Sequence, residues 1–235
     1  MKKYPEVTLV IDVEKDIENA TYFLKYEKNQ FFRDCFFRGD LNFILSEKFS
    51  KKEQGKVIEA YVRNFFKEHK KEIEKGLLLV KRDWKKKEKK YLALIEKMFR
   101  GRKWLEGEYR GIVSIFRMYP RWIEQKTFFF PYAHQKPGFA NGVIAHEMLH
   151  FFFFDYIFEK YGLKEGSKIK GKESDYIWKV SEVFNVVMEN WKPYTDIIGR
   201  AGKPYPGQEK MYKKMQKQWF KNQDIDWLLD QWLQK

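Results

Sequence analysis

Apolar residues recur at spacings of three and four along much of the chain, which is the pattern of amphipathic helices. The clearest stripe follows Ser50, which forms a capping box with Glu53, so a helix is expected to begin there. A second helix is expected to start near Gly76 or Asp83 and to end at Phe99. The other predicted helices cover residues 16–26, 141–155, 174–191, 208–220 and 224–234.

Three short segments have the β-branched and aromatic composition of strands instead. They are Val7–Val13, Tyr109–Arg117 and Lys126–Tyr132, and the turn Tyr119–Trp122 joins the last two. The segment 29–49 mixes aromatic and polar residues and has no clear assignment. Its repeated phenylalanines would suit a short buried helix; they are Phe31, Phe32, Phe36 and Phe37.

The apolar segment Asn141–Asp155 contains the one motif that carries chemistry, His146-Glu147-Met148-Leu149-His150. Residues four apart lie on the same face of a helix, so two imidazoles can reach one metal ion. The HExxH spacing is that of zinc peptidases, in which the glutamate is a general base that takes a proton from a metal-activated water. The alternative is a core helix whose two histidines are satisfied by hydrogen bonds.

A catalytic zinc site needs a third protein ligand. The metzincin pattern has a His or Asp six residues past the second His, but Tyr156 stands at that position here and Asp155 is one position short. We therefore expect a carboxylate from the next predicted helix, residues 174–191, which Ser174 is expected to cap. Glu182 is the first candidate because it lies mid-helix among valines and Phe184. Glu189 is a fallback ligand, and Glu173 is less favoured.

The HEMLH motif followed 32 positions later by Glu182 resembles the arrangement of the gluzincins, of which thermolysin is the best-known member. Ser181 and Val186 stand where thermolysin-like enzymes carry Asn and Asp. Glu182 followed by Asn185 is more similar to small intracellular gluzincin-type domains of the ImmA/IrrE kind. The resemblance covers about residues 109–192.

The gluzincin resemblance implies roles for particular residues. His146, His150 and Glu182 would bind one Zn²⁺ per chain, and Glu147 would be the general base. Asn185 would orient a ligand. The strand before the HExxH helix, Lys126–Pro131, would be a sheet edge that binds peptide by strand addition.

A donor that polarises the substrate carbonyl is also implied, and several residues remain open for that role. His134, in the loop before the motif, could stabilise an oxyanion or contact substrate, although a lone loop histidine is more often only solvated. Tyr194 or Arg200 could act from the segment after the second helix. The candidates are Tyr132, His134, Tyr176, Tyr194 and Arg200.

Composition changes this picture little. Of the 235 residues, 43% are hydrophobic and 34% charged, which is typical of a globular protein. Cys35 is the single cysteine, so no intramolecular disulfide is expected, and it suits a small buried apolar position. The start of the chain does not resemble a signal peptide, and its apolar runs are too short to span a membrane. Together these features predict a cytoplasmic protein.

The net charge of +14 is the one compositional feature that implies a partner. The positive charge concentrates in Lys81–Lys90 and in the last third of the chain. Such a surface can bind nucleic acid or anionic lipid. A solvated helix face is the simpler interpretation, because Asp83 and Glu88 interrupt the run and no nucleic-acid motif is present.

We therefore expect an α+β, mostly helical, zincin-like fold with a small antiparallel sheet packed on the HExxH helix. The predicted domain is single and covers residues 1–235. Its parts are a mainly helical region (1–105), a metal-site core (106–192) and C-terminal helices (193–235).

The predicted function is zinc-dependent hydrolysis of peptide bonds, with Glu147 as general base and a peptide or protein as substrate. The alternative is a non-catalytic or regulatory zincin that binds a protein or nucleic acid through its basic surface. A helical domain with a coincidental HExxH is the third hypothesis. An intact Glu147 favours the enzyme, because a purely structural zinc site has no use for a general base.

Overall fold

The computed structural model describes residues 4–234 except 27, 29, 37–40, 42–43, 45–48 and 133–137; for Phe31 and Phe32 it describes the backbone alone. The described residues form an α+β structure that is mostly helical, with one four-stranded sheet. The strands are β1 (Glu6–Val10), β2 (Glu108–Ser114), β3 (Arg121–Trp122) and β4 (Thr127–Pro131). The helices are α1 (Val13–Phe23), α2 (Gln30–Phe36), α3 (Lys51–Glu68), α4 (Lys70–Met98), α5 (Phe139–Tyr161), α6 (Tyr176–Glu189), α7 (Lys192–Ile198), α8 (Glu209–Lys221) and α9 (Ile225–Leu233).

These residues divide into two compact units. The first, here the sheet unit, contains Glu6–Asp83 and Glu108–Ile144. The second, here the helical unit, contains Met1–Pro5, Trp84–Gly107 and Ala145–Lys235. The single zincin-like domain expected over the whole chain stays a prediction.

The sheet is mixed, so the expected antiparallel sheet is wrong. The strand order is β1-β2-β4-β3; β1 and β4 are both parallel to β2, and only β3 is antiparallel to its neighbour. Parallel neighbours need a long connection between them. Helices α1 to α4 connect β1 with β2, and the segment that contains β3 connects β2 with β4.

Strand β4 lies inside the sheet, so the expected free edge at Lys126–Pro131 is also wrong. Short strand β3, which the sequence places in a turn, pairs with Thr127 and Phe128, and Phe129 N donates to Pro120 O. All five residues of β4 are buried; because successive side chains point to opposite faces, both faces of the sheet are covered along β4.

Helix caps decide where several elements begin. Asp12 accepts a hydrogen bond from Lys15 N and so caps the start of α1 at Val13. Strand β1 therefore ends at Val10, three residues before the end of the predicted strand Val7–Val13. The capping box of Ser50 and Glu53 is confirmed. Ser174 does not cap α6, because Asp175 precedes the helix and makes no side-chain cap.

Two helices differ from the expected pattern. Helix α4 begins at Lys70, well before Gly76, with only His69 between it and α3. Segment 192–198 is the short helix α7, which lies between the predicted helices 174–191 and 208–220. Pro193 lies in its first turn, where a missing N–H costs nothing.

The sheet unit buries a polar cluster behind β2. Asp16, on α1, is fully buried and accepts hydrogen bonds from Ile115 N at 3.0 Å and from the Ser114 side chain. The side chain of Asn19, one turn along α1, is buried beside it. Burial raises the pKa of the Asp16 carboxyl to about 7 against the hydrogen bonds it accepts. The cluster therefore ties α1 to the end of β2.

The helical unit packs aromatic side chains around α5 and α6. Phe99 lies 4.8 Å from Phe152, and Phe153 lies 5.1 Å from Phe184, measured between ring centroids. Helix α6 is buried on all sides from Val180 to Met188, because it lies in the interior of this unit. A charged side chain on such a helix must find its partner inside the protein.

Among the described residues, no helix combines the length and the apolar character that crossing a bilayer requires.

Candidate metal centre

Helix α5 presents both histidines of the HExxH motif on one face. The Nε2 atoms of His146 and His150 lie 3.0 Å apart. The side chain of His150 is fully buried, whereas 19% of the His146 side chain is exposed. The four-residue spacing therefore brings the two imidazoles together, with His146 nearer to solvent.

Glu182 reaches the same point from α6. One carboxylate oxygen, Oε2, lies 3.3 Å from His146 Nε2, and the other, Oε1, lies 3.3 Å from His150 Nε2. Only 3% of the Glu182 side chain is exposed. The structure therefore brings His146, His150 and Glu182 together as one group of metal-type donors.

The spacing of these donors fits a zinc ion. Ligands about 2.0–2.2 Å from a tetrahedral zinc lie roughly 3.3–3.6 Å from one another. The two Nε2 atoms are 3.0 Å apart, and each lies 3.3 Å from a different oxygen of the Glu182 carboxylate, so the donors are spaced close to this range. Two nitrogens and one carboxylate are also the donors of catalytic zinc sites that leave a position for water.

Glu189, the fallback ligand, lies behind His146. Its Oε1 is 2.7 Å from Nδ1, the ring nitrogen that faces away from the three-donor group. A carboxylate in that position keeps the proton on Nδ1 and directs the lone pair of Nε2 toward a metal. Glu189 therefore lies on the side of His146 away from the three-donor group, one turn beyond Asn185 on α6.

A glycine allows Glu189 to occupy this place. A Cβ atom at Gly202 would lie 1.7 Å from Glu189 Oε2, so the Glu189 carboxylate keeps this position only while residue 202 is glycine. The amide Nδ2 of Asn190 donates to Gly202 O at 3.1 Å and holds the segment in position. The segment after α7 therefore packs on the outer side of the His146–Glu189 pair.

Two further side chains hold the backbone of the motif. The Asn185 amide donates to the carbonyl of His146 at 2.8 Å, so it contacts the helix backbone and not a ligand side chain. The Tyr91 hydroxyl, from α4, donates to the carbonyl of Ala145 at 2.6 Å. Tyr91 lies in the predicted helix that ends at Phe99, and no sequence signal separates it from the other apolar residues of that helix.

Glu147 lies on α5 between the two histidines in sequence and is 5% exposed. It is not part of the three-donor group. Its carboxylate contributes to raising the pKa of His146, Tyr91 and Tyr194, so it lies within electrostatic reach of all three. A buried carboxylate beside the group, but outside it, is what a general base requires.

Three buried carboxylates give this cluster its electrostatic character. Burial lowers the pKa of His146, but Glu189, Glu182 and Glu147 together raise it more, well above the usual value. The carboxylates therefore favour a cation among them, either a proton or a metal ion.

The candidates for a carbonyl-polarising donor have different positions. Tyr194 is 1% exposed, and burial raises its pKa well above 10, with contributions from Glu189 and Glu147, so it stays a neutral hydroxyl near the cluster. Tyr176 donates to the Trp232 carbonyl at 3.1 Å. His134 lies outside the described residues. Asp155, which the sequence places one residue short of a third-ligand position, accepts hydrogen bonds from Arg102 and lies outside the three-donor group.

Comparison of the chain with family models, with curated proteins and with solved structures finds no match.

Proposed function

We propose that this protein is a zinc-dependent peptidase of the gluzincin kind. The observation that carries the proposal is the convergence of His146, His150 and Glu182, with the Glu147 carboxylate beside them. A buried group of this composition needs a cation, and its spacing suits zinc. A zincin-like fold, a peptide or protein substrate and a cytoplasmic location belong to the same proposal. The single cysteine, Cys35, is consistent with a reducing compartment.

His146, His150 and Glu182 would hold the metal. Bound zinc would supply an acidic water and an electrophile for the substrate carbonyl. Glu147 would accept the proton from that water on a carboxylate oxygen and then deliver it to the leaving amine. Its burial keeps that proton away from bulk solvent.

The remaining residues keep the donors in place. Glu189 would hold the Nδ1 proton of His146, so that the lone pair of Nε2 is directed at the metal. Tyr91 and Asn185 fix the carbonyls of Ala145 and His146, which limits movement of the helix that carries the motif. Such preorganisation lets a site bind its metal without first rearranging.

Elemental analysis of purified protein tests the metal site. We expect about one zinc per wild-type chain, loss of zinc in Glu182→Ala and retention in Glu147→Ala. The exposed carboxylate Glu173 provides a matched control, and Glu173→Ala is expected to keep its zinc. A wild-type protein that neither contains nor takes up zinc would refute the metallopeptidase proposal.

Cleavage of a peptide library tests the reaction. Wild-type protein is expected to cleave peptides, to lose this activity with a chelator and to regain it with zinc. Zinc binding without cleavage of any peptide would favour the non-catalytic zincin. Glu147→Gln serves as the inactive control, because it keeps the ligands and removes the base.

A further inference from the structure

Helix α8 carries five lysines on one face. They occupy positions 210, 213, 214, 217 and 221, which at about 100° per residue fall within an arc of roughly 100°. All five are exposed. We call this surface the α8 lysine stripe; its members are Lys210, Lys213, Lys214, Lys217 and Lys221.

Within the described chain, none of the five lysines forms an ion pair with a carboxylate. Glu209 is the only acidic residue of the helix. Lys214 Nζ lies 5.1 Å from the centroid of the Trp232 ring, a contact that leaves its charge uncompensated. The stripe is therefore a continuous positive surface.

The run Lys81–Lys90 on α4 is different, although its charge in the sequence is just as dense. Its lysines spread over roughly 240° of the helix circumference, and Lys85 pairs with Glu88 at 3.1 Å. Lys87 donates to the carbonyl of Ile198 at 2.7 Å. A dense run of lysines therefore forms a continuous positive surface only where the lysines share one face of the helix and no carboxylate pairs with them.

The opposite face of α8 is already used by the fold. Met215 and Trp219 are buried, and the Trp219 ring lies 5.5 Å from the Trp191 ring. A helix that binds a membrane inserts its apolar face between the lipids. That face is not available here, and Phe220 is the one large apolar side chain that α8 exposes. The stripe therefore suits a partner that is recognised by charge.

We propose that the α8 lysine stripe binds the phosphate backbone of a nucleic acid. Eleven residues of helix separate Lys210 from Lys221, a rise of about 16 Å. One strand of duplex DNA places about five phosphates along the same length. Five ammonium groups in a row therefore match five phosphates in number and span. The excess of Lys and Arg (47) over Asp and Glu (33) adds long-range attraction.

The experiment measures binding of the full chain to a labelled DNA duplex of about 20 base pairs and to an RNA strand of similar length, across a salt series. Five phosphate contacts predict that log K falls with log salt with a slope of about −4.5 for the duplex and about −3.5 for the RNA. A variant with Lys210, Lys213, Lys217 and Lys221 changed to Gln should reduce the slope to about −1. Its affinity at low salt should fall at least about a hundredfold.

A control variant removes the same charge elsewhere. Lys52, Lys67, Lys71 and Lys75 are exposed on α3 and α4, and their change to Gln is expected to leave the slope near the wild-type value. Zinc content and thermal unfolding should be the same in both variants and the wild type.

Three outcomes would overturn the proposal. The first is that neither nucleic acid binds. The second is that the control variant weakens binding as much as the stripe variant, because then only net charge matters. The third is tighter binding to vesicles rich in phosphatidylserine, or to polyglutamate, than to either nucleic acid. None of these outcomes bears on the zinc site, which is tested separately by metal content.

Discussion

Asp16 in the sheet unit and Glu182 in the helical unit are both buried carboxylates, and their surroundings differ. In the sheet unit, Asp16 accepts hydrogen bonds from Ile115 N and the Ser114 side chain, and no other acid or histidine forms part of its cluster in the described chain. In the helical unit, Glu182 faces two histidine nitrogens, each at 3.3 Å.

The difference shows that burial of a carboxylate does not by itself indicate a functional site. Asp16 is as buried as Glu182, yet neutral hydrogen bonds and a raised pKa account for it as a structural group. The cluster around Glu182 contains more negative charge than neutral hydrogen bonds can balance. What separates the two is the convergence of donors from two helices on one point.

The largest expected effect is on peptide hydrolysis at the three-donor group of the helical unit. Glu147→Gln removes the proposed base and keeps its volume, so peptide hydrolysis should fall about 10²–10⁴-fold. Zinc content and stability should not change. The measurement is kcat/KM on a peptide that the wild type cleaves. An active variant would mean that another group takes the proton.

The next largest effect is on how the stability of the protein changes with pH, and it comes from the buried Asp16 of the sheet unit. The pKa of Asp16 rises from 3.8 in the unfolded chain to about 7 in the fold, so between these values the folded state holds a proton that the unfolded state has lost. Its contribution to stability is complete below pH about 4 and is lost as pH rises through about 7. The loss is about 4 kcal/mol.

Asp16→Asn should remove this part of the pH dependence. Urea unfolding of wild type and variant across pH 4–8 gives the difference in unfolding free energy. The exposed Asp196, which pairs with Lys192, provides the control, and Asp196→Asn should leave the wild-type profile in place. A variant profile parallel to that of the wild type would show that Asp16 is ionised throughout.

A smaller effect is expected from the positioning carboxylate. Glu189→Gln weakens the hold on His146 Nδ1, so zinc affinity should fall about 10–100-fold without loss of the site. Gly202→Ala should do the same, because a Cβ there would displace the Glu189 carboxylate. Competition with a chromogenic chelator measures both. Complete loss of zinc in Glu189→Gln would make Glu189 a ligand after all.

The smallest expected effect comes from removing single hydrogen bonds between a tyrosine hydroxyl and a backbone carbonyl. Tyr91→Phe removes the hydrogen bond to the Ala145 carbonyl and should cost about 1 kcal/mol of stability, with a few-fold loss of zinc affinity. Tyr176→Phe removes a similar bond to the Trp232 carbonyl and should cost as much stability with no change in zinc affinity. Equal zinc affinities in the two variants would assign Tyr91 to packing alone.

Much of the helical structure could be predicted from local pattern. The capping box of Ser50 and Glu53 depends on residues three positions apart, and it forms where the sequence predicts it. The apolar faces of α8 and α9 also depend on residues a few positions apart, and both helices form where the sequence predicts them. The start of α6 was predicted wrongly, because Ser174 is a good cap by residue type but Asp175 precedes the helix. The sheet was also predicted wrongly, since strand direction depends on partners distant in sequence.

The sequence by itself determined that His146 and His150 share a face, because helical spacing is local geometry. It also selected Glu182 as a costly buried charge. Only the tertiary structure decided that both Glu182 oxygens meet the two Nε2 atoms, that Glu189 lies behind His146, and that Tyr91 contacts the motif. Those facts depend on how α4, α5 and α6 pack, and such contacts between distant residues leave no periodic signal in one sequence.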